Sequence, residues 1–247
     1  AEFSILALDQ RGHGGSRVVA PDPTTGLISM APENYAADVA ETLGTRNFRP
    51  VIAVGHSMGA RTAATLAARN PDLVRACVLV DMGLGATAGG HLGPRLRGFL
   101  ETLPGEFSNR AGLRAFMDAN CPDPSIAQYL MAVSKVKTDG SIYFPFDRDR
   151  LLGTIDAARG VEILASVRKF VTDGGKTGKP KSVLVLRGAE SSVWSQDSYL
   201  EEQRLLQDLA PWVTFEEVAG AGHGLPFEKR PEFISRIRRF AHDSLAR

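Results

Sequence analysis

Cysteine is scarce, with two in 247 residues. Cys77 sits inside an apolar run and Cys121 precedes a proline. That number and placement exclude a disulfide framework and read as two reduced thiols in a cytoplasmic protein. Charge of one sign is also lacking: 29 basic and 28 acidic residues leave a formal net charge of +1. Nothing there draws the chain to nucleic acid or to an anionic membrane. No apolar run approaches the ~18–20 residues that span a bilayer, and no charged, apolar, small-residue series marks a signal peptide. The histidines and cysteines lack metal-ligand spacing, so neither metal nor cofactor is expected. Repeats and low-complexity tracts are missing too.

What is present suffices for one sizeable core, with 43% hydrophobic and 23% charged residues. Apolar runs bounded by turn residues predict strands at Phe3 to Leu8, Val51 to Val54, Ala76 to Val80, Ser182 to Leu186 and Val213 to Val218. Helical spacing predicts helices at Glu33 to Leu43, Met58 to Arg69, Ser198 to Leu209 and Pro231 to Leu245. Strands alternating with helices imply an α/β fold with a mainly parallel sheet covered on both faces. Residues 84–179 break the alternation. They carry helical patterns at Pro94 to Leu103, Asn109 to Ala119 and Pro124 to Ser134, a turn at Asp139–Gly140 and a weak strand at Ile142 to Phe146. This stretch reads as a cap inserted into a core of residues 1–83 and 180–247, with the glycine- and lysine-rich run from Asp173 to Pro180 as a flexible return to the sheet.

Val51-Ile52-Ala53-Val54 leads into Gly55-His56-Ser57-Met58-Gly59 and then an alanine-rich helix. This is a G-x-S-x-G pattern in its required strand, turn, helix context. A serine on so tight a turn is forced into a strained conformation, so the residues two positions to either side must lack bulk. A serine hydroxyl is a poor nucleophile at neutral pH. It needs a base within hydrogen-bond reach and a carboxylate behind that base. Of five histidines, His13 lies in a glycine loop, His56 inside the turn, His91 in the cap and His242 on the last helix. His223, in Gly220-Ala221-Gly222-His223-Gly224 just past the last strand, is left as the base.

Asp9-Gln10-Arg11-Gly12-His13-Gly14-Gly15-Ser16, the Ser57 motif, Val78-Leu79-Val80-Asp81 and Gly220 to His223 resemble, in order and spacing, the α/β-hydrolase superfamily. The likeness runs from the first residue to the last helix and identifies a superfamily, not a substrate. It implies an α/β-hydrolase fold with a helical cap and a Ser57–His223–acid triad. In most members the acid follows the penultimate strand, but Ser191 and Ser192 occupy the usual places here. A smaller group draws its acid from the strand after the nucleophile helix, where Asp81 stands 24 residues past Ser57. Asp81 is our choice, with Glu190 the rival by virtue of its longer side chain and Asp197 a distant third. The structural alternative for Asp81 is a hydrogen bond to neighbouring loops. Asp9 is expected to tie down the loop from Arg11 to Ser16.

The resemblance also implies two backbone donors for the tetrahedral intermediate. Met58 supplies one; the other belongs to a loop after a strand upstream of Phe3. The chain opens on a strand pattern, and that upstream strand would lie mid-sheet, between Phe3–Leu8 and Val51–Val54. We therefore expect a further N-terminal segment of several dozen residues to complete the sheet. Phe99, Phe116, Tyr129, Met131, Phe144, Phe146 and Trp194 are candidates for the pocket lining, Phe144, Trp194 and Tyr129 foremost, although ordinary cap packing explains each one singly. Arg95 and Arg97 could meet a substrate carboxylate, or be solvated surface. The expected reaction is hydrolysis of a small carboxylic ester, lactone or amide through an acyl-enzyme. C–C bond hydrolysis with the same triad, and a non-catalytic receptor or interaction module on this scaffold, are the alternatives. The expected partner is a small-molecule substrate; the oligomeric state is not legible.

Overall fold

In a computed structural model of the chain, which describes residues 2–21, 26, 28–85, 92–158, 161–174 and 178–246, four parallel strands form the main sheet. These are β1 (Val51–His56), β2 (Val74–Val80), β6 (Ser182–Gly188) and β7 (Val213–Val218), in that spatial order. Parallel strands buried on both faces need continuous apolar sequence, and β2 and β6 have it. Cys77, Leu79, Val183 and Val185 face one core cluster, while Val78, Val80, Leu184 and Leu186 face another. The first face is covered by α1 (Pro32–Thr45), α2 (Met58–Arg69) and α8 (Gln196–Leu205); the second packs on Phe233, Ile237 and Phe240 of α10 (Arg230–Ala246). The short α9 (Leu225–Glu228) links β7 to α10.

Phe3 to Leu8 departs from expectation. The segment runs without a ladder partner, Ile5 is 89% exposed, and β1 pairs only with β2 among the described residues. A strand is defined by the backbone it bonds to, and no described strand lies alongside this one.

The stretch expected to form a cap contains α3 (Leu92–Thr102), α4 (Arg110–Asn120), α5 (Pro124–Val133) and α6 (Arg148–Ala157), with a small antiparallel sheet of β3 (Glu106–Phe107), β4 (Lys135–Val136) and β5 (Ile142–Tyr143). Its aromatic residues build their own core, which includes Phe99, Phe107 and Phe144. Glu202 pins one root, accepting from Leu84 N at 2.9 Å and Gly85 N at 2.8 Å. At the other root, Ile163 N and Leu164 N donate to Leu84 O. The helix α7 (Leu164–Asp173) lies within residues 84–179, yet Val167, Phe170 and Val171 join the main core beside α2. Its apolar residues recur at helical spacing and face the sheet, so burial assigns it there. His91 and residues 175–177 of the return run lie outside the described residues. No helix among the described residues is long and apolar enough to cross a membrane.

Phe170 is 1% exposed. Phe170→Ala is expected to cost about 3–5 kcal/mol in chemical denaturation, as for other buried phenylalanines. A loss under about 1 kcal/mol would contradict the packing of α7 in the main core.

Candidate active site

Three chain segments converge at the C-terminal ends of β1, β2 and β7. The first is the turn at Ser57, which joins β1 to α2 with φ 55° and ψ −122°. A non-glycine residue held there stores on the order of 1–3 kcal/mol of strain. The turn is fastened by Ser57 N donating to Val80 O at 2.9 Å and by Ala60 N donating to Ser57 O at 2.9 Å. The steric demand expected at both flanking glycines falls on one of them. A Cβ on Gly55 would lie 2.0 Å from Gly59 O, whereas a Cβ on Gly59 would meet only the Gln10 amide at 3.6 Å.

The second segment is Asp81, which follows β2 with φ 47° and is fully buried. Its Oδ1 accepts from Gly188 N at 2.8 Å; its Oδ2 accepts from Ser191 Oγ at 2.6 Å. The third is His223 in the loop after β7, 6% exposed, whose Nδ1 lies 2.8 Å from Asp81 Oδ2. A carboxylate accepts, so Nδ1 carries the proton and Nε2 is the free, basic nitrogen. Asp81 and His223 are therefore brought together, while Glu190 and Asp197 are exposed and make no bond to the ring.

Ser57 and His223 are close in the fold but not bonded. His56 Nε2 donates to His223 O at 2.7 Å, and the two imidazole rings are 4.8 Å apart. Ser57 Oγ makes no hydrogen bond with any described residue, and the residue is half-buried. Met58 N, in the first turn of α2, is likewise unclaimed among the described residues, and points where the helix dipole favours negative charge. Asp9 does fasten its loop, accepting from Gly15 N at 2.9 Å.

The expected lining divides. Trp194 is 1% exposed and sits in the main core against Tyr199; its carbonyl accepts from Arg187 Nε at 2.9 Å. Phe144 is buried in the same cluster as Phe99 and Phe107, stacked on Phe146. Tyr129, on α5, is 44% exposed. Arg97 is engaged by Glu101 and Asp156. Arg95 lines an open depression of about 400 Å³ between α3 and the end of α4 that includes none of Ser57, Asp81 and His223. Ser191 was not among the expected site residues; its signal was its position in the turn where an acid is usual.

A model described as the alpha/beta hydrolase family matches residues 1–237, and the chain belongs to that family; it is a hydrolase by kinship. An sn-1-specific diacylglycerol lipase ABHD11 of Xenopus laevis is 26% identical over 97% of this chain and 71% of its own. A 2-(acetamidomethylene)succinate hydrolase of Mesorhizobium japonicum is 43% identical over 32% of this chain and 26% of its own. The crystal structure of an E-2-(acetamidomethylene)succinate hydrolase superposes with a TM-score of 0.74 at 25% identity, covering 94% of this chain and 79% of that one.

Two measurements follow from this geometry. Gly55→Ala is expected to cost several kcal/mol, and Gly59→Ala to leave stability within about 1 kcal/mol, helix propensity favouring alanine. Equal losses in thermal unfolding would refute the asymmetry. Burial, and then the neighbouring His223, lower the His56 pKa to about 4. The unfolded chain binds this proton near the ordinary value of about 6.5, so stability falls as pH drops from about 6.5 towards 4, by roughly 3 kcal/mol. His56→Gln, which can still donate to His223 O, should flatten that part of the stability–pH curve in urea titrations; an unchanged slope would contradict it.

Proposed function

We propose that the chain is a serine hydrolase that transfers the acyl group of a small carboxylic ester, lactone or amide to water. The observation that carries this reading is the 2.8 Å bond from His223 Nδ1 to Asp81 Oδ2 beside the strained Ser57 turn. With Nδ1–H held by Asp81, the ring offers Nε2 as base. Substrate in the site brings Ser57 Oγ into hydrogen-bond contact with Nε2, a contact that often tightens only in the complex. Oγ then attacks the carbonyl carbon as its proton passes to Nε2, and the electron pair moves to the carbonyl oxygen facing Met58 N. One such donor is worth about 3 kcal/mol of barrier. Collapse expels the alcohol or amine, which takes the proton from His223. Water then attacks the acyl-enzyme with His223 again as base, freeing the acid and Ser57.

The name of one relative, a diacylglycerol lipase, supports ester hydrolysis. Tyr129, exposed on the cap helix α5, is the side chain we assign to substrate contact.

A fluorophosphonate probe should label Ser57, and p-nitrophenyl acetate should give a burst of about one nitrophenol per chain. Ser57→Ala should abolish the burst and lower kcat/KM by at least about a thousandfold with the melting temperature kept. A folded protein that neither reacts with the probe nor turns over esters would end the proposal.

A further inference from the structure

The turn between β6 and α8 carries two adjacent serines that face opposite ways. Ser191 Oγ receives Val193 N at 3.3 Å and Trp194 N at 3.2 Å. With its lone pairs taken, the hydroxyl proton is directed at Asp81 Oδ2, 2.6 Å away. That oxygen is also the one bonded by His223 Nδ1. Asp81 is fully buried, so no bulk water can replace a lost donor.

Ser192 Oγ donates instead to Asp123 Oδ2 at 2.5 Å, across the boundary between core and cap. Asp123 is 5% exposed and caps α5; its Oδ1 accepts from Ser125 N at 2.9 Å, from Ile126 N at 3.2 Å and from Ser125 Oγ. Burial opposes its charge, but the donors from Ser125 and Ser192 outweigh it and hold the carboxyl below the usual range. The same helix turn reaches the histidine loop, where a Cβ on Gly224 would fall 2.8 Å from the Ser125 Cβ.

We propose that Ser191 and Ser192 form a two-sided positioning device: Ser191 holds the Asp81 carboxylate in line with His223, and Ser192 seats the cap, through Asp123, on the same turn. Its catalytic consequence rests on the serine-hydrolase reading. Its geometry makes the two halves separable, since one hydroxyl acts on the proton-transfer pair and the other on the wall of the substrate site.

Three variants of the full chain test it, with thermal melts to establish folding. Ser191→Ala is expected to lower kcat at least about tenfold with KM within about twofold. In the free protein it should broaden or erase the His223 Nδ1–H proton resonance, and Ser191→Thr should restore both. Ser192→Ala is expected to raise KM at least about fivefold, with kcat and the Nδ1–H resonance kept. Ser191→Ala with a wild-type resonance and kcat, or Ser192→Ala lowering kcat with KM unchanged, would overturn the proposal. The resonance is read without substrate, so a protein that hydrolyses nothing defeats the serine-hydrolase reading while the spectra still decide the role of Ser191.

Discussion

A carboxylate sealed from water has to find its partners within the protein, and the Asp81 carboxylate organises this end of the molecule by doing so. Its acceptors take Gly188 N at the end of β6, Ser191 Oγ from the turn beyond it and His223 Nδ1 from the loop after β7. Leaving such a charge without a partner costs about 3–5 kcal/mol. The three segments are therefore tied to the end of β2 by more than loop geometry. Asp81 N completes the tie, donating to Leu186 O at 2.7 Å. The ring of His223 is thus fixed by the sheet itself, although it belongs to a loop.

A second constraint is steric and sits one strand over. Gly55 lets the chain double back so closely that its missing side chain would occupy the space of the Gly59 carbonyl. The turn lifts Ser57 off the sheet edge, and its amide is bonded to Val80 O, one residue before Asp81. The strained turn and the buried carboxylate share the end of β2, so the nucleophile candidate and the base candidate are registered against the same strand.

The sheet was legible because β1, β2 and β6 are largely apolar runs between turn residues, and α2 because Ser57 fixes its start and alanines fill its buried face. The helix α7 escaped notice for a local reason: Ile163 precedes it, so no side-chain cap announces its start. Its role appears only when Phe170 is seen against the sheet. Asp81 could be singled out through the resemblance, since a smaller group of that superfamily draws its acid from the end of the strand after the nucleophile helix, where Asp81 stands. Its partner Ser191 could not, because a serine in a turn has many uses and the hydrogen bond that distinguishes this one spans 110 residues. Trp194 misled for the opposite reason. An aromatic residue in a loop after a sheet strand looks available, and only its burial against Tyr199 places it in the main core.

His56 gives the site its remaining electrostatic property. It is spent on a structural bond to His223 O, and burial depresses its pKa to about 4. Between that pH and neutrality it stays uncharged, although its ring is 4.8 Å from that of His223. Two imidazolium rings at such a distance would repel each other strongly in a partly desolvated site. The His223 ring therefore has a neutral neighbour on one side and the Asp81 carboxylate on the other. The asymmetry follows from which ring is denied a carboxylate. The same loop that delivers His223 to Asp81 offers His56 only a carbonyl, and a carbonyl is satisfied by a neutral donor.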